Sequence, residues 1–342
     1  MIDYKNIRSV HLEISTRCNA ACPLCPRNSS GYDEDLGYPL TDMTLPQVKK
    51  IFNPTFLRQL NSILINGNFG DFVTARDNAE IVEYFVQCNP RIQINISTNG
   101  SAGKPELWQR LGKLRNVKIG FALDGLENTH ILYRQNTNWQ TVINNAKKFI
   151  STGGYAIWRM IKFQHNSHQI ESCKQISKEL GFKRFDLLDH GRDSGPVYDR
   201  YGNYSYHLGN KPVSLQPGYP ARIELWKEWS VNGSLPETRS IEYKTIPIKQ
   251  KIECMAKRFS QIYITANGEV YPCCWLGLYP GLKYQHPWQQ DNFQVKALIK
   301  ENNALEVGLE QAILWMSAVE ESWNKQSYSD GRLFHCDNYC GH

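Results

Sequence analysis

The sequence predicts an α/β fold in which parallel strands are joined by crossover helices, with a smaller unit on the C-terminal side. Three observations carry this. From Val10 to about Leu188, short β-branched runs alternate with amphipathic stretches of helical length. From Gly191 to about Lys251 the rhythm stops, in a segment rich in Gly, Pro, Tyr and Asn. Beyond it, SQIYITANGEVYPCCW reads as a β-hairpin turning at Asn267-Gly268, a dipeptide suited to a turn with positive φ. A chain of 342 residues is long for one ordinary domain, and the pattern divides it into a strand–helix unit at 1–190, a linker or cover at 191–250 and a cysteine-bearing unit at 251–342.

Six strands are expected, at Val10–Ser15, Ser62–Ile65, Ile92–Ser97, Val117–Leu123, Tyr155–Phe163 and Arg184–Leu188. Helices fill the gaps at Pro46–Leu57, Asn78–Gln87, Pro105–Leu114, Trp139–Ile150 and Ser167–Leu180, several opening with Pro in the first turn or a Ser, Thr or Asn cap, and Gly153 and Gly181 stand where helices should stop. In the interrupted segment only Ala221–Trp229 has a helical pattern, and a last helical stretch runs from about Glu306 to Asn324 before HCDNYCGH. Tyr198, Tyr201, Tyr204 and Tyr206, like Trp226 and Trp229, read as packing on the domain beneath.

Composition narrows the class. An apolar share of 41%, with 13 Phe, 18 Tyr and 9 Trp, suits a globular chain and excludes a disordered or fibrous one. The longest apolar runs are strand-sized, so no helix is expected to span a bilayer. Charges interrupt the N-terminal stretch MIDYKNIRSVHLEIS where an export signal needs an unbroken apolar run, which points to the cytoplasm. A net charge of +6 without a concentrated basic stripe argues against a nucleic-acid binder.

Ten cysteines in a reducing compartment suggest metal ligation over disulfides. Eight fall into two groups, Cys18, Cys22 and Cys25, then Cys254, Cys273, Cys274, Cys336 and Cys340, while Cys88 and Cys173 read as packed helix thiols. Cys18-Asn-Ala-Ala-Cys22-Pro-Leu-Cys25 directly follows the first strand, at the carboxyl end where parallel sheets build their active sites. Three ligands are one short of a closed structural zinc site, unless a residue such as His11 completes it, whereas an iron–sulfur cube on three cysteines keeps one iron open.

On these residues the chain resembles the radical SAM superfamily, whose hallmark is CxxxCxxC after the first strand of a partial (β/α)6, TIM-like barrel, and the resemblance covers roughly residues 8–190. It implies a [4Fe–4S] cluster on Cys18, Cys22 and Cys25 with S-adenosylmethionine (SAM) chelated to the open iron, reductive cleavage of SAM to a 5′-deoxyadenosyl radical, and removal of a substrate hydrogen. Asn66-Gly67-Asn68-Phe69-Gly70-Asp71 looks like a variant Gly-Gly-Glu motif, in which the backbone at Gly70 approaches the methionine ammonium and Asp71 accepts its hydrogen bond. By the same resemblance Ser97 and Asn99 meet the ribose or carboxylate, Asp124 closes the fourth strand, Arg134 reaches the SAM carboxylate, and Gln164 and Asn166 cap the fifth strand beside the cofactor. Taken singly, Asp71, Asn99 and Asp124 are equally suited to helix capping and Arg134 to the surface. Two positions depart from the family: Leu24 stands where an aromatic residue commonly lies near the adenine, and Asp71 is one methylene shorter than Glu.

Cys254, the hairpin, Cys273, Cys336 and Cys340 resemble the twitch domain, a shortened SPASM extension, which implies one auxiliary [4Fe–4S] cluster and two clusters in all. Cys274 is an alternative to Cys273, a neighbour of the cluster, or a spare thiol near the substrate, and by spacing alone the four cysteines also suit a zinc ribbon. The resemblance implies an oxidoreductase or modifying enzyme acting first on a peptide or protein side chain, second on a small metabolite such as a sugar or nucleotide, with a flavodoxin- or ferredoxin-type electron donor. A zinc-ribbon nucleic-acid module on an α/β scaffold is the non-enzyme alternative, and the open three-cysteine loop opposes it.

Overall fold

The computed structural model describes residues 2–25, 27–28, 39–189, 195–199, 201, 203–209, 247–249, 251–278 and 290–342. The helical patch expected at Ala221–Trp229 lies outside them. The strands are β1 (Ser9–Leu12), β2 (Ser62–Ile65), β3 (Gln93–Thr98), β4 (Val117–Ala122), β5 (Tyr155–Ile161), β6 (Arg184–Leu188), β7 (Gly195–Tyr198), β8 (Tyr204–Leu208), β9 (Gln261–Ile264) and β10 (Val270–Tyr271). The α-helices are α1 (Leu45–Ile51), α2 (Pro54–Gln59), α3 (Asn78–Cys88), α4 (Pro105–Gly112), α5 (Glu127–Tyr133), α6 (Trp139–Ser151), α7 (Ile170–Glu179), α8 (Met255–Arg258), α9 (Gln290–Leu298), α10 (Ala304–Val307), α11 (Leu309–Ala312), α12 (Met316–Ser322) and α13 (Phe334–Cys340).

Among the described residues, one sheet runs β10-β9-β1-β2-β3-β4-β5-β6, and β1 to β6 are parallel and adjacent in chain order, as successive right-handed crossovers require. This is the architecture of a partial TIM-like barrel. Strand alternation sorts the side chains. Val10, Leu12, Ile63, Ile94, Ile119, Phe121 and Trp158 are almost fully buried on the helix side, where Phe121 meets Phe149 of α6 and Trp158 meets Phe182 just past α7. The opposite, inner face carries polar or small residues, including Ser9, His11, Ser62, Ser97, Gly120 and Arg159.

The C-terminal hairpin is less separate than its sequence suggests. β9 pairs in parallel with β1, with Val10 opposite Ile262 and Leu12 opposite Ile264, and β10 returns antiparallel through a turn at Gly268, whose φ is +87°. Ile262, Tyr263, Ile264, Leu309, Trp315, Met316 and Val319 therefore share one hydrophobic core with the barrel strands.

Two expected helices are broken. The stretch Pro46–Leu57 divides into α1 and α2 because Pro54 has no N–H to continue the ladder, and the Asn53 side chain instead accepts from Phe56 N–H to start a new helix. The stretch from Glu306 divides at Gly308, with φ +81°, between α10 and α11, and again at residues 313–315 before α12. The tail HCDNYCGH, left unassigned by the sequence, forms α13, which places Cys336 and Cys340 four residues apart on one helix face. Part of the expected linker is regular as well: β7 and β8 form an antiparallel hairpin whose Val197 and Leu208 are buried with Ala20, Cys22, Tyr133, Ile161 and Phe163. Tyr206 anchors it by donating to the Leu132 carbonyl at 2.5 Å and accepting from Gln135 at 2.8 Å.

Candidate active site

β1 delivers the chain into the loop of Cys18, Cys22 and Cys25. The loop is pinned by Ala21 N–H to the Gln135 carbonyl (2.9 Å) and turned by Cys25 N–H to the Cys22 carbonyl (3.1 Å). Three donors face the sulfurs: Ala20 N–H at 3.4 Å and Asn99 Nδ2 at 3.7 Å from Cys18 Sγ, and Arg134 Nη1 at 3.7 Å from Cys22 Sγ. Burial, the Asp71 carboxylate and the other two cysteines push the Cys18 thiol up to about 12. Burial pushes Cys22 up to about 11 against the opposing pull of Arg134. Such thiols stay protonated until a cation replaces the proton.

Arg134 is no surface charge. Its Nε donates to Asp124 Oδ2 at 2.6 Å, its guanidinium lies 4.9 Å above the Tyr133 ring, and the Asp124 side chain is fully buried. Asp124 Oδ1 also accepts from Ile161 N–H, so the carboxylate is occupied in aiming Arg134 at the cysteine loop. The helix that supplies Arg134, α5, was not foreseen.

Asp71 is half-buried and accepts from Val73 N–H (3.0 Å), Thr98 Oγ1 (2.5 Å) and Asn99 N–H (2.7 Å), which ties the loop after β2 to the end of β3. Burial raises its pKa and these three donors oppose the rise. Beneath the same loop lies a residue the sequence reading missed. The Glu13 carboxylate takes Phe69 N–H (2.7 Å), Gly70 N–H (2.9 Å) and Tyr263 Oη (2.8 Å), the last from β9. A lone acidic residue ending a β-branched strand was the available signal. A Cβ at Gly70 would lie 1.8 Å from the Ser15 carbonyl oxygen, so only glycine lets these backbones meet.

The other expected cofactor contacts divide. Asn99 sits beside Cys18 and also donates to Asn19 Oδ1 at 3.0 Å. Ser97 lies on the inner face, where its hydroxyl accepts from Arg159. Gln164 is exposed at the end of β5. Asn166 is completely buried, with Oδ1 accepting from Phe163 N–H (2.8 Å) and Nδ2 donating to the Ile161 (2.9 Å) and Asp124 (3.2 Å) carbonyls; it shapes the turn after β5 and turns no free polar atom to a ligand. Leu24 lies in the small apolar cluster beneath the β7–β8 hairpin. His11 is engaged away from the cysteines, with Nε2 2.7 Å from the Asn66 carbonyl and burial lowering its pKa to about 4.

In the C-terminal unit Cys254, Cys273, Cys336 and Cys340 line one cavity, walled also by Ile252, Pro272, Leu276, Trp323 and His335. Burial pushes Cys273 up to about 12 and raises Cys254 and Cys336. A buried ion pair, Arg332 with Asp337 (Nη2 to Oδ1 2.6 Å), holds the start of α13, and Tyr328 Oη adds a bond to Asp337 at 2.7 Å. The end of α13 is fixed by Glu253 N–H to the Cys340 carbonyl at 2.8 Å, beside Cys254. Cys274 does not line this cavity; its carbonyl accepts from Asn68 Nδ2 at 2.9 Å, in the loop above Glu13. Among the described residues no three His, Cys, Asp or Glu side chains converge tightly enough for a single ion. Cys173 is buried on α7 and Cys88 half-buried on α3, as packed helix thiols.

Residues 12–163, from β1 past the end of β5, match the family described as the radical SAM superfamily. Over these residues the chain is a radical SAM protein. It is an enzyme of that class, and the reading as a zinc-ribbon nucleic-acid module falls. The family implies SAM and a [4Fe–4S] cluster as cofactors. The site fits that pair: three thiols share one loop with no fourth protein ligand among the described residues, and Arg134 and Asn99 stand ready to offset thiolate charge. Among solved structures, SuiB of Streptococcus suis bound to S-adenosylmethionine is similar at TM-score 0.51 and 15% identity, over 88% of this chain and 67% of that one. The enzyme anSMEcpe with bound AdoMet is similar at TM-score 0.50 and 17% identity, over 80% and 72%. These two likenesses show the fold. BtrN in complex with AdoMet and 2-DOIA gives TM-score 0.40 and 13% identity, over 92% and 89%. No curated protein matches the sequence significantly. No described helix is long and apolar enough to cross a membrane.

Proposed function

We propose that this radical SAM enzyme modifies a peptide or protein side chain in the cytoplasm and carries a second, auxiliary [4Fe–4S] cluster on Cys254, Cys273, Cys336 and Cys340. The observation that carries the second cluster is the cavity these four cysteines share. Four thiolates can close a [4Fe–4S] site completely, and mostly apolar side chains wall the cavity they share. When bound, the first cluster and SAM supply the 5′-deoxyadenosyl radical that takes a hydrogen from the substrate. In this reading Cys18, Cys22 and Cys25 hold the first cluster, Arg134 and Asn99 balance its thiolates, and Gly70 and Asp71 shape the loop that receives the SAM ammonium. Ser97 and Gln164 border the cofactor, and Asn166 acts only through the shape of the turn after β5. A flavodoxin- or ferredoxin-type protein donates the electron.

The peptide reading is supported by SuiB, which has also been solved bound to the precursor peptide SuiA. A small metabolite is the second reading, since BtrN carries 2-DOIA. Anaerobically reconstituted protein with dithionite and SAM should release 5′-deoxyadenosine. Deuterium carried into that product from a uniformly deuterated peptide fraction, and not from the small-metabolite fraction, is the expected result; label from the metabolite fraction alone would overturn the peptide assignment.

A further inference from the structure

The inner face of β3 to β6 holds a row of charged groups that meets the proposed SAM contacts only at Ser97. Arg159 of β5 lies across β4 and donates from Nη1 to Ser97 Oγ on β3. It can do so because residue 120 is glycine: a Cβ there would meet Arg159 Nε at 2.6 Å and Cζ at 2.8 Å, so any other side chain would expel the guanidinium. On its other side Arg159 faces Asp186 of β6, with Nε 3.6 Å from Oδ2.

That carboxylate is already engaged. Arg184, two residues before it, holds Asp186 through Nε at 2.6 Å and Nη2 at 2.8 Å. Two guanidiniums thus share one carboxylate, and Lys118 on the same face of β4 has an aromatic neighbour, Tyr155, at 5.4 Å. The remaining inner carboxylate, Glu13, is taken by Phe69, Gly70 and Tyr263, and burial keeps His11 neutral. The inner face of β4 to β6 therefore holds Lys118, Arg159 and Arg184 against Asp186, an excess of positive charge. Arg159 is 27% exposed and Asp186 23%, so this partly compensated cation is accessible rather than sealed in the core. Burying a guanidinium with only part of a partner is unfavourable, and an incoming anion relieves it. β6, which carries Arg184 and Asp186, is also an edge of the described sheet.

We infer that Arg159 anchors a carboxylate of the substrate inside the barrel, so that the enzyme acts on an acidic peptide. The inference rests on the peptide reading above for the substrate class, but not for the anion site.

The test compares wild type, Arg159→Gln and Arg159→Lys by calorimetry with SAM bound. The probes are two decapeptides differing only by three Glu-to-Gln changes, together with glutarate and inorganic phosphate. Wild type should bind the acidic decapeptide about tenfold or more tightly than its neutral twin; Arg159→Gln should erase the difference and Arg159→Lys should restore most of it. SAM affinity and iron content should be unchanged in both variants, and Asp186 keeps Arg184, so folding should survive. Glutarate or phosphate binding that is lost in Arg159→Gln without any peptide preference would uphold the anion site and overturn the peptide reading. Equal affinities in wild type and Arg159→Gln, no binding of any anionic probe, or loss of SAM affinity in Arg159→Gln would overturn the inference, the last by reassigning Arg159 to the SAM carboxylate.

Discussion

The two cysteine sites differ in what surrounds them. Around Cys18, Cys22 and Cys25 the neighbours are polar and directed: Arg134 and Asn99 point at sulfur, and Asp71 and Asp124 hold them there. Around Cys254, Cys273, Cys336 and Cys340 the walls are mostly aliphatic and aromatic, with the His335 imidazole among them, and the buried polar pair, Arg332 with Asp337, braces the helix. A group that exchanges a ligand and changes charge needs donors close by, whereas one enclosed by four thiolates needs a dry, rigid cage. The lesson is that, under the proposed assignment, ligand count and surroundings agree: three cysteines with donors suit an open site, four with mostly apolar walls a closed one.

That contrast can be broken by mutation, and the largest effect belongs to the open site. Replacing Cys18, Cys22 and Cys25 together with Ala should abolish 5′-deoxyadenosine formation while leaving the iron at the C-terminal cysteines. Undiminished product in the triple variant would contradict the open-site assignment.

The double variant Cys336→Ala/Cys340→Ala should lose about half the iron and all product, yet keep some uncoupled SAM cleavage. Limited proteolysis should cut near α13 and the Cys254 segment while sparing β9 and β10. A hairpin that buries little by itself would depend wholly on the metal centre, but this one shares the barrel core through Ile262, Tyr263 and Ile264. Cleavage within the hairpin would show that the shared core is not enough to hold it.

A smaller effect is expected at the open site's supports. Arg134→Ala leaves Asp124 buried without its partner, a loss of about 3–5 kcal/mol in stability, readable by denaturant titration of the reconstituted protein. Asp71→Asn should weaken SAM binding about tenfold by loosening the loop, with iron content unchanged. Unaltered SAM affinity would confine Asp71 to holding Val73, Thr98 and Asn99.

The smallest effect should come from Cys274→Ala, with full iron content at both sites, because Cys274 engages the Asn68 loop through its carbonyl and does not line the cavity. Iron loss equal to that of Cys273→Ala would reverse the assignment of the two neighbours.

Much of the barrel was legible because its strands are β-branched runs: Ser62–Ile65 and Arg184–Leu188 hold to the residue. The cysteine spacing was equally plain, since the ligands of one site lie on one loop. The breaks at Asn53-Pro54 and Gly308 had local signals, a cap with Pro and a lone Gly, that were outweighed by apolar periodicity. The pairing of β9 with β1 was not legible, because register between strands some 250 residues apart leaves no local mark. The charged row in the barrel had a faint one, an Arg in the middle of the strand Tyr-Ala-Ile-Trp-Arg-Met-Ile. What it meets, a glycine on β4 and an already engaged aspartate on β6, depends on three strands closing together.

The central claim, two iron–sulfur sites of different kind, is tested most directly by electron paramagnetic resonance of the dithionite-reduced, reconstituted wild-type protein with and without SAM. Two cluster signals are predicted, of which SAM perturbs one, the signal that disappears in the Cys18/Cys22/Cys25 triple variant; a single signal, or one from the C-terminal cysteines that shifts on adding SAM, would contradict it.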